Sequence, residues 1–347
     1  MYKKFTIVTL SATLALLLLF GGVIWAFDPF LQYHQPLFSL SVDYQVERYQ
    51  NAGIIKNWRY QNVVTGSSMT GNFRPSWFDQ YFDGGTVKLT YPDAYVSELV
   101  RALTVCWEKQ RIAKAFVGLD INMLIRSESG NTHVMPDYLY NDFLPDDVSY
   151  VLNKSVMFDY VTHTAKFNVD GRHIPFDEAF TWDQDYEWSQ QKVLSSYNRP
   201  SAAETKADPH MYDQAVLENL SIFCDFAEKY PEIEFYVFSA PYSILYWDSR
   251  ARIGDIEAIL SANLLTINTL SQYPNVRFYY FNNMEEIVTD LDNYTDSVHY
   301  SKQISRDMVK WMAEGTGLAT AADAAQQIDK MRDMVAAFDF EALVEKK

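Results

Sequence analysis

Cysteine is almost missing from this chain. Its two thiols, Cys106 and Cys224, stand in 347 residues, match no metal or redox spacing and lie in segments that read as buried helix faces. A disulfide between them is neither required nor excluded, and small buried apolar groups are the favoured reading. Basic residues are also short, with 29 Lys and Arg against 45 Asp and Glu and a formal charge of −16. Such acidity repels phosphate backbones and no basic stripe offsets it, so nucleic acid is not an expected partner. Apart from His299, the histidines (His34, His133, His163, His173 and His210) are scattered without partner spacing and read as structural or solvated. The sequence holds no H-E-x-x-H, C-x-x-C, P-loop or G-x-G-x-x-G. Asp120 and Asn122 alone offer too few oxygens for a cation. Neither a metal nor an organic cofactor is expected.

Long apolar runs are lacking too, with one exception. Phe5–Phe27 carries no charge and is long enough to cross a bilayer, which takes about 20 apolar residues as a helix. A cleaved signal peptide is the competing reading. The stretch exceeds a usual signal core and no A-x-A-like site follows it, which favours an uncleaved anchor. Lys3 and Lys4 precede it and Asp28 follows. The positive-inside bias therefore predicts a cytoplasmic N-terminus at 1–4, an anchor at 5–27 and everything later outside, as a single-pass protein of the cell membrane. The bilayer itself is thus an expected partner.

What remains is the composition of a folded domain, 48% hydrophobic and 21% charged, enough for one α/β domain with additions or two small ones. Residues 28–58 read as a connector. From 59 to 315, short apolar runs alternate with helical patterns, which predicts a parallel sheet with crossover helices. Strands are expected at Asn62–Thr65, Val87–Tyr91, Ala113–Leu119, Glu234–Ser239 and Val276–Phe281. Helices are expected near Pro75–Phe82, Tyr95–Gln110, Met284–Leu291 and Lys302–Ala313. An insertion at 121–210 follows the third strand, rich in Tyr, Asp, Asn and Trp. A stretch so long reads as a cap over a site, an embellishment or a partner surface. The tail from 316 to 347 is helical by composition.

Two short segments carry chemistry. In Val63-Val64-Thr65-Gly66-Ser67-Ser68-Met69-Thr70-Gly71 a β-branched strand ends in glycine and hydroxyls before a helix. That point lies at the carboxyl edge of a parallel sheet, where ligands bind and where helix N–H groups can hold an oxyanion. Taken alone, Ser67 or Ser68 reads as a helix cap. Gly71 falls one residue too late for G-x-S-x-G, which argues against a nucleophile elbow. The second segment, Asp296-Ser297-Val298-His299, follows the last strand. One loop can aim both side chains, so that Asp296 holds the Nδ1 proton of His299 and Nε2 is left to take a proton from serine. In a flavodoxin-like sheet both segments reach the same edge.

With those residues in place, the chain resembles the SGNH (GDSL-like) hydrolases over roughly 62–313, the long insertion aside. Ser68 is similar to their nucleophile, and Asp296 with His299 to their last block. Within that superfamily it is most similar to anchored envelope proteins such as the D-alanine transfer proteins of teichoic acid synthesis and the alginate O-acetyltransferases. The resemblance implies a three-layer flavodoxin-like α/β fold and an extracytoplasmic serine esterase or O-acyltransferase. Such an enzyme would act on cell-envelope glycopolymers through an acyl-serine. The polymer or acyl donor, and a membrane acyltransferase, are its implied partners. Gly66, Ser67, Asp120 and Asn122 are the implied oxyanion or substrate-binding residues. Two blocks depart from the pattern. Tyr91-Pro92-Asp93-Ala94 has no glycine after the second strand, and Gly118-Leu119-Asp120 puts a carboxylate where the superfamily has asparagine, with Asn122 two residues on. A carboxylate repels an oxyanion unless it is protonated or turned away. A non-catalytic SGNH-like scaffold or binding protein is therefore the alternative.

Overall fold

Residue types that favour pleated, half-buried surface, valine, threonine and the aromatics, mark out five strands of the structure, a computed structural model describing residues 2–345. They are β1 (Asn62–Gly66), β2 (Thr86–Thr90), β3 (Lys114–Gly118), β4 (Glu234–Ser239) and β5 (Val276–Tyr280). A sixth, β6 (Leu318–Ala319), was not expected from the sequence, since two residues carry no periodicity. The sheet runs β2-β1-β3-β4-β5-β6, parallel from β2 through β5, with β6 antiparallel at the edge. Every residue of β1 and β2 is buried, as a sheet covered on both faces requires. Helices Val96–Gln110, Asp213–Lys229 and Ile256–Leu270 pack in sequence beside one another, and Lys302–Glu314 packs against the short helix Pro75–Phe78. The tail is an edge strand and then two helices, Ala324–Ala337 and Phe340–Val344, the first packed on Ile256–Leu270. Cys106 and Cys224 are both free and buried.

The chain divides into two compact units, and this division differs from the expected connector and insertion. Tyr60–Thr132 with the chain from Phe180 onward forms the sheet unit, whereas the residues up to Arg59 join His133–Ala179. Residues 28–58 are thus no connector, and only part of the 121–210 insertion is extra to the sheet. The physical reason is aromatic surface that a solvated linker would leave in water. Phe30 packs against Tyr49, Tyr150 and Tyr160 at ring-centroid distances of 4.9, 5.4 and 4.7 Å. Buried Asp28 accepts the backbone N–H groups of Gln32, Tyr33 and His34 and the Tyr150 hydroxyl, which ties the start of this unit together. Burial pushes the Asp28 carboxyl up while those bonds oppose the shift. Helix Tyr2–Phe27, 26 residues and mostly exposed, is long and apolar enough to cross a membrane.

Candidate active site

Strand order changes direction at β1, whose neighbours are β2 on one side and β3 on the other. Loops leaving the carboxyl ends of β1 and β3 diverge there, which opens a crevice. Thr65 lies opposite Val117, so Ser68 and Asp120, each two residues past its strand, leave the sheet side by side. Close approach is possible because Gly66 has no side chain. A Cβ there would stand 2.6 Å from Thr70 Cγ2 and 3.2 Å from the Gly118 carbonyl. Gly66, expected among the substrate-binding residues, is therefore behind the cleft rather than on its wall.

A short 3-10 helix, Ser68–Thr70, begins at the site, and the two adjacent serines divide the work that the sequence left open between them. Ser67 is the cap, its Oγ accepting the Met69 N–H at 3.3 Å. Ser68 is left to face the cleft, with Oγ 3.0 Å from His299 Nε2. On the far side of the ring His299 Nδ1 lies 2.7 Å from Asp296 Oδ2. An ionised carboxylate only accepts, so Nδ1 carries the proton and Nε2 presents its lone pair to Ser68. Asp296 Oδ1 also accepts the N–H groups of Val298 and His299 at 2.8 Å each. Partial burial works to raise the Asp296 carboxyl. The ring hydrogen bond and charge of His299 and the two N–H groups outweigh it and hold the acid below the usual carboxylate range.

Residues that local patterns could not reveal complete the corner. Trp182 donates its indole N–H to the Ser68 carbonyl at 3.1 Å and sets its ring edge-on to His299 at 5.1 Å, interplanar angle 81°. The lack of a side chain at Gly71 makes room, since a Cβ there would lie 2.6 Å from that indole nitrogen. Lys88, buried on β2, donates to the carbonyls of Gly71 and Phe73 and clamps the loop that follows the serines. Tyr300 bonds the Met69 carbonyl at 2.8 Å. The aromatic richness of the 121–210 insertion was the one hint of Trp182, and nothing in the sequence pointed to Lys88.

A cleft of about 200 Å³ opens beside Ser68, lined also by Asp93, Ala94, Asp120, Asn122, Arg126 and Tyr242. The N–H groups of Ser68 and Ala94 make no hydrogen bond among the described residues. Asn122 is engaged, its amide reaching the Tyr242 hydroxyl at 3.4 Å and its carbonyl accepting from Tyr246 at 3.0 Å. Asp120 is buried and bonds Ser67 Oγ through Oδ2. Burial pushes its carboxyl up to about 6 against the Ser67 hydrogen bond and the attraction of His299 and Arg126. Among the described residues no group of three or more His, Cys, Asp or Glu could hold a metal ion. Compared with protein-family models and with curated proteins, the chain matches none.

Proposed function

We propose that the chain is an SGNH-type serine esterase or O-acyltransferase, anchored in the cell membrane by residues 5–27 and acting outside it on cell-envelope glycopolymers. One observation carries the proposal. Ser68, His299 and Asp296 stand in a hydrogen-bonded line, with contacts of 3.0 and 2.7 Å, at the mouth of an open cleft. The strand order 2-1-3-4-5 is that of flavodoxin-like sheets, in which this edge is where ligands sit. Lys3 and Lys4 before the apolar helix support a cytoplasmic N-terminus.

In the proposed reaction His299 Nε2 takes the Ser68 proton as Oγ attacks an ester carbonyl. The N–H groups of Ser68 and Ala94 hold the oxyanion. The leaving alcohol then takes the proton from His299, and an acyl-serine remains. Water or a polymer hydroxyl accepts the acyl group by the same steps in reverse. The test is covalent labelling of the full-length protein in detergent by a fluorophosphonate. Wild type should label, and Ser68→Ala should lose at least about a thousandfold in rate. Labelling that survives in that variant rules out Ser68 as the reactive group. Asp120 beside the serine favours a second reading, a scaffold of the same fold without activity. A wild type that never labels would support it.

A further inference from the structure

Asp120 is out of place for acyl transfer as written, because it sets an acid where negative charge has to form. Its side chain is buried, 4% exposed. Oδ2 is bound to Ser67 Oγ, whereas Oδ1 has no hydrogen-bond partner among the described residues. The residue lines the same cleft as Ser68 and His299. A buried polar atom left unpaired costs folding free energy, and that cost is offset once a ligand supplies the partner. Hydrogen-bond direction fixes which oxygen is free to act. Ser67 Oγ already accepts the Met69 N–H, so its own proton points to Asp120 Oδ2. If the acid is neutral, its proton therefore belongs on Oδ1, the unpaired atom.

Resting on the esterase reading above, we propose that Asp120 works as a neutral acid, donating from Oδ1 to the oxyanion formed when Ser68 attacks, and that its ionisation switches the enzyme off. In the reactive form Asp120 holds one proton and His299 Nε2 holds none. The Ser68 proton passes to His299, the Oγ–carbonyl bond forms, and the carbonyl π pair becomes the oxyanion that accepts the Asp120 hydrogen bond. On collapse the leaving group takes the proton from His299, and Asp120 keeps its own. The isomer with the proton on His299 and a charged Asp120 has no base and puts two negative charges together. It is unreactive.

The groups around Asp120 favour the neutral acid in the state that reacts. Two basic side chains oppose the rise, His299 from the loop after β5 and Arg126 beyond the short helix Ile121–Leu124. His299 is uncharged when it serves as base. Arg126 is bound to the Asp93 carboxylate and to the carbonyls of Asp93 and Ala94, so its charge is already matched. Tyr242 and Tyr300, both buried, face Asp120 from the loops after β4 and β5 and bring no positive charge. Burial then dominates and raises the acid to about 6. A carboxylic acid held neutral in this way is an established kind of oxyanion donor.

The test is the rate of fluorophosphonate labelling of Ser68 in the full-length protein, followed from about pH 4 to about pH 9. Phosphonylation builds negative charge on the P–O oxygen, as acyl transfer does on carbonyl oxygen. Wild type should give a bell, its alkaline limb falling about tenfold per pH unit above the titration of Asp120. Asp120→Asn keeps shape and a donor but cannot ionise. It should lose the alkaline fall and label at least about tenfold faster than wild type near pH 8. An unchanged alkaline limb in the variant, or slower labelling at every pH, overturns the proposal while Ser68 remains a nucleophile. No labelling of wild type at any pH overturns the esterase reading, and this proposal with it. Should Asp120→Asn fail to fold, the carboxyl ¹³C resonance of Asp120 in the wild type decides. Titration near pH 6 is expected, and an acid already ionised near pH 4, as an ordinary aspartate is, contradicts it.

Discussion

Ser67 and Ser68 are neighbours in the chain, yet the two sides of the cleft they face treat an aspartate in opposite ways. Asp296, toward the loop after β5, is partly exposed and accepts three hydrogen bonds, two from backbone N–H groups and one from His299. It is held ionised. Among the described residues the buried side chain of Asp120, toward the loop after β3, has a single hydrogen-bond partner and an unpaired Oδ1, and burial pushes its carboxyl up to about 6. In the proposed reaction one residue type thus serves as an orienting anion on one side and as a neutral hydrogen-bond donor on the other. The lesson is that burial and the number of donors, more than the side chain, set the charge.

The largest expected effect breaks the Asp296 side. Asp296→Asn keeps the shape but presents an amide to His299 Nδ1, favouring the wrong tautomer, so fluorophosphonate labelling should slow by roughly 10³–10⁴-fold. A loss below about tenfold would mean that Asp296 does not orient the ring. Next comes a stability comparison at Asp120. Its folded value, about 6, lies above the unfolded 3.8, so the stability owed to the neutral acid is whole below the unfolded value and lost as pH rises through about 6. Asp120→Asn should therefore be more stable than wild type near pH 8, by up to about 3 kcal/mol, and show little gain near pH 4, as read by thermal unfolding. The smallest effect sharpens the comparison by leaving both sides intact. Lys88→Met strips the Gly71 and Phe73 carbonyls of their donor and should cost about 2 kcal/mol in stability. The pH profile of labelling should keep its shape, since neither acid is touched.

Much of the sheet was legible because local composition decides it. Val63 and Val64, Val87 and Leu89, and Phe235 to Phe238 are buried runs that only a covered strand accommodates. The approach of Ser68 to His299 was legible for a related reason, since both segments leave the same edge of a parallel sheet. Where local signal ends, reading ended too. Trp182 reaches Ser68 across 114 positions of chain and Lys88 reaches Gly71 across 17, and neither pairing leaves a spacing to find. Asn122 was open to reading as an oxyanion donor until Tyr242 and Tyr246 were seen to occupy its amide. Residues 28–58 read as a connector because their partners, 133–179, lie inside an insertion. Two distant irregular stretches that fold together show no periodicity in either.

The most direct measurement is to locate the adduct. After fluorophosphonate treatment of the full-length protein, tandem mass spectrometry can tell apart two adjacent hydroxyls. One adduct per chain is expected, on Ser68, whose oxygen faces the imidazole. An adduct on Ser67, or on a residue outside this loop, would contradict it.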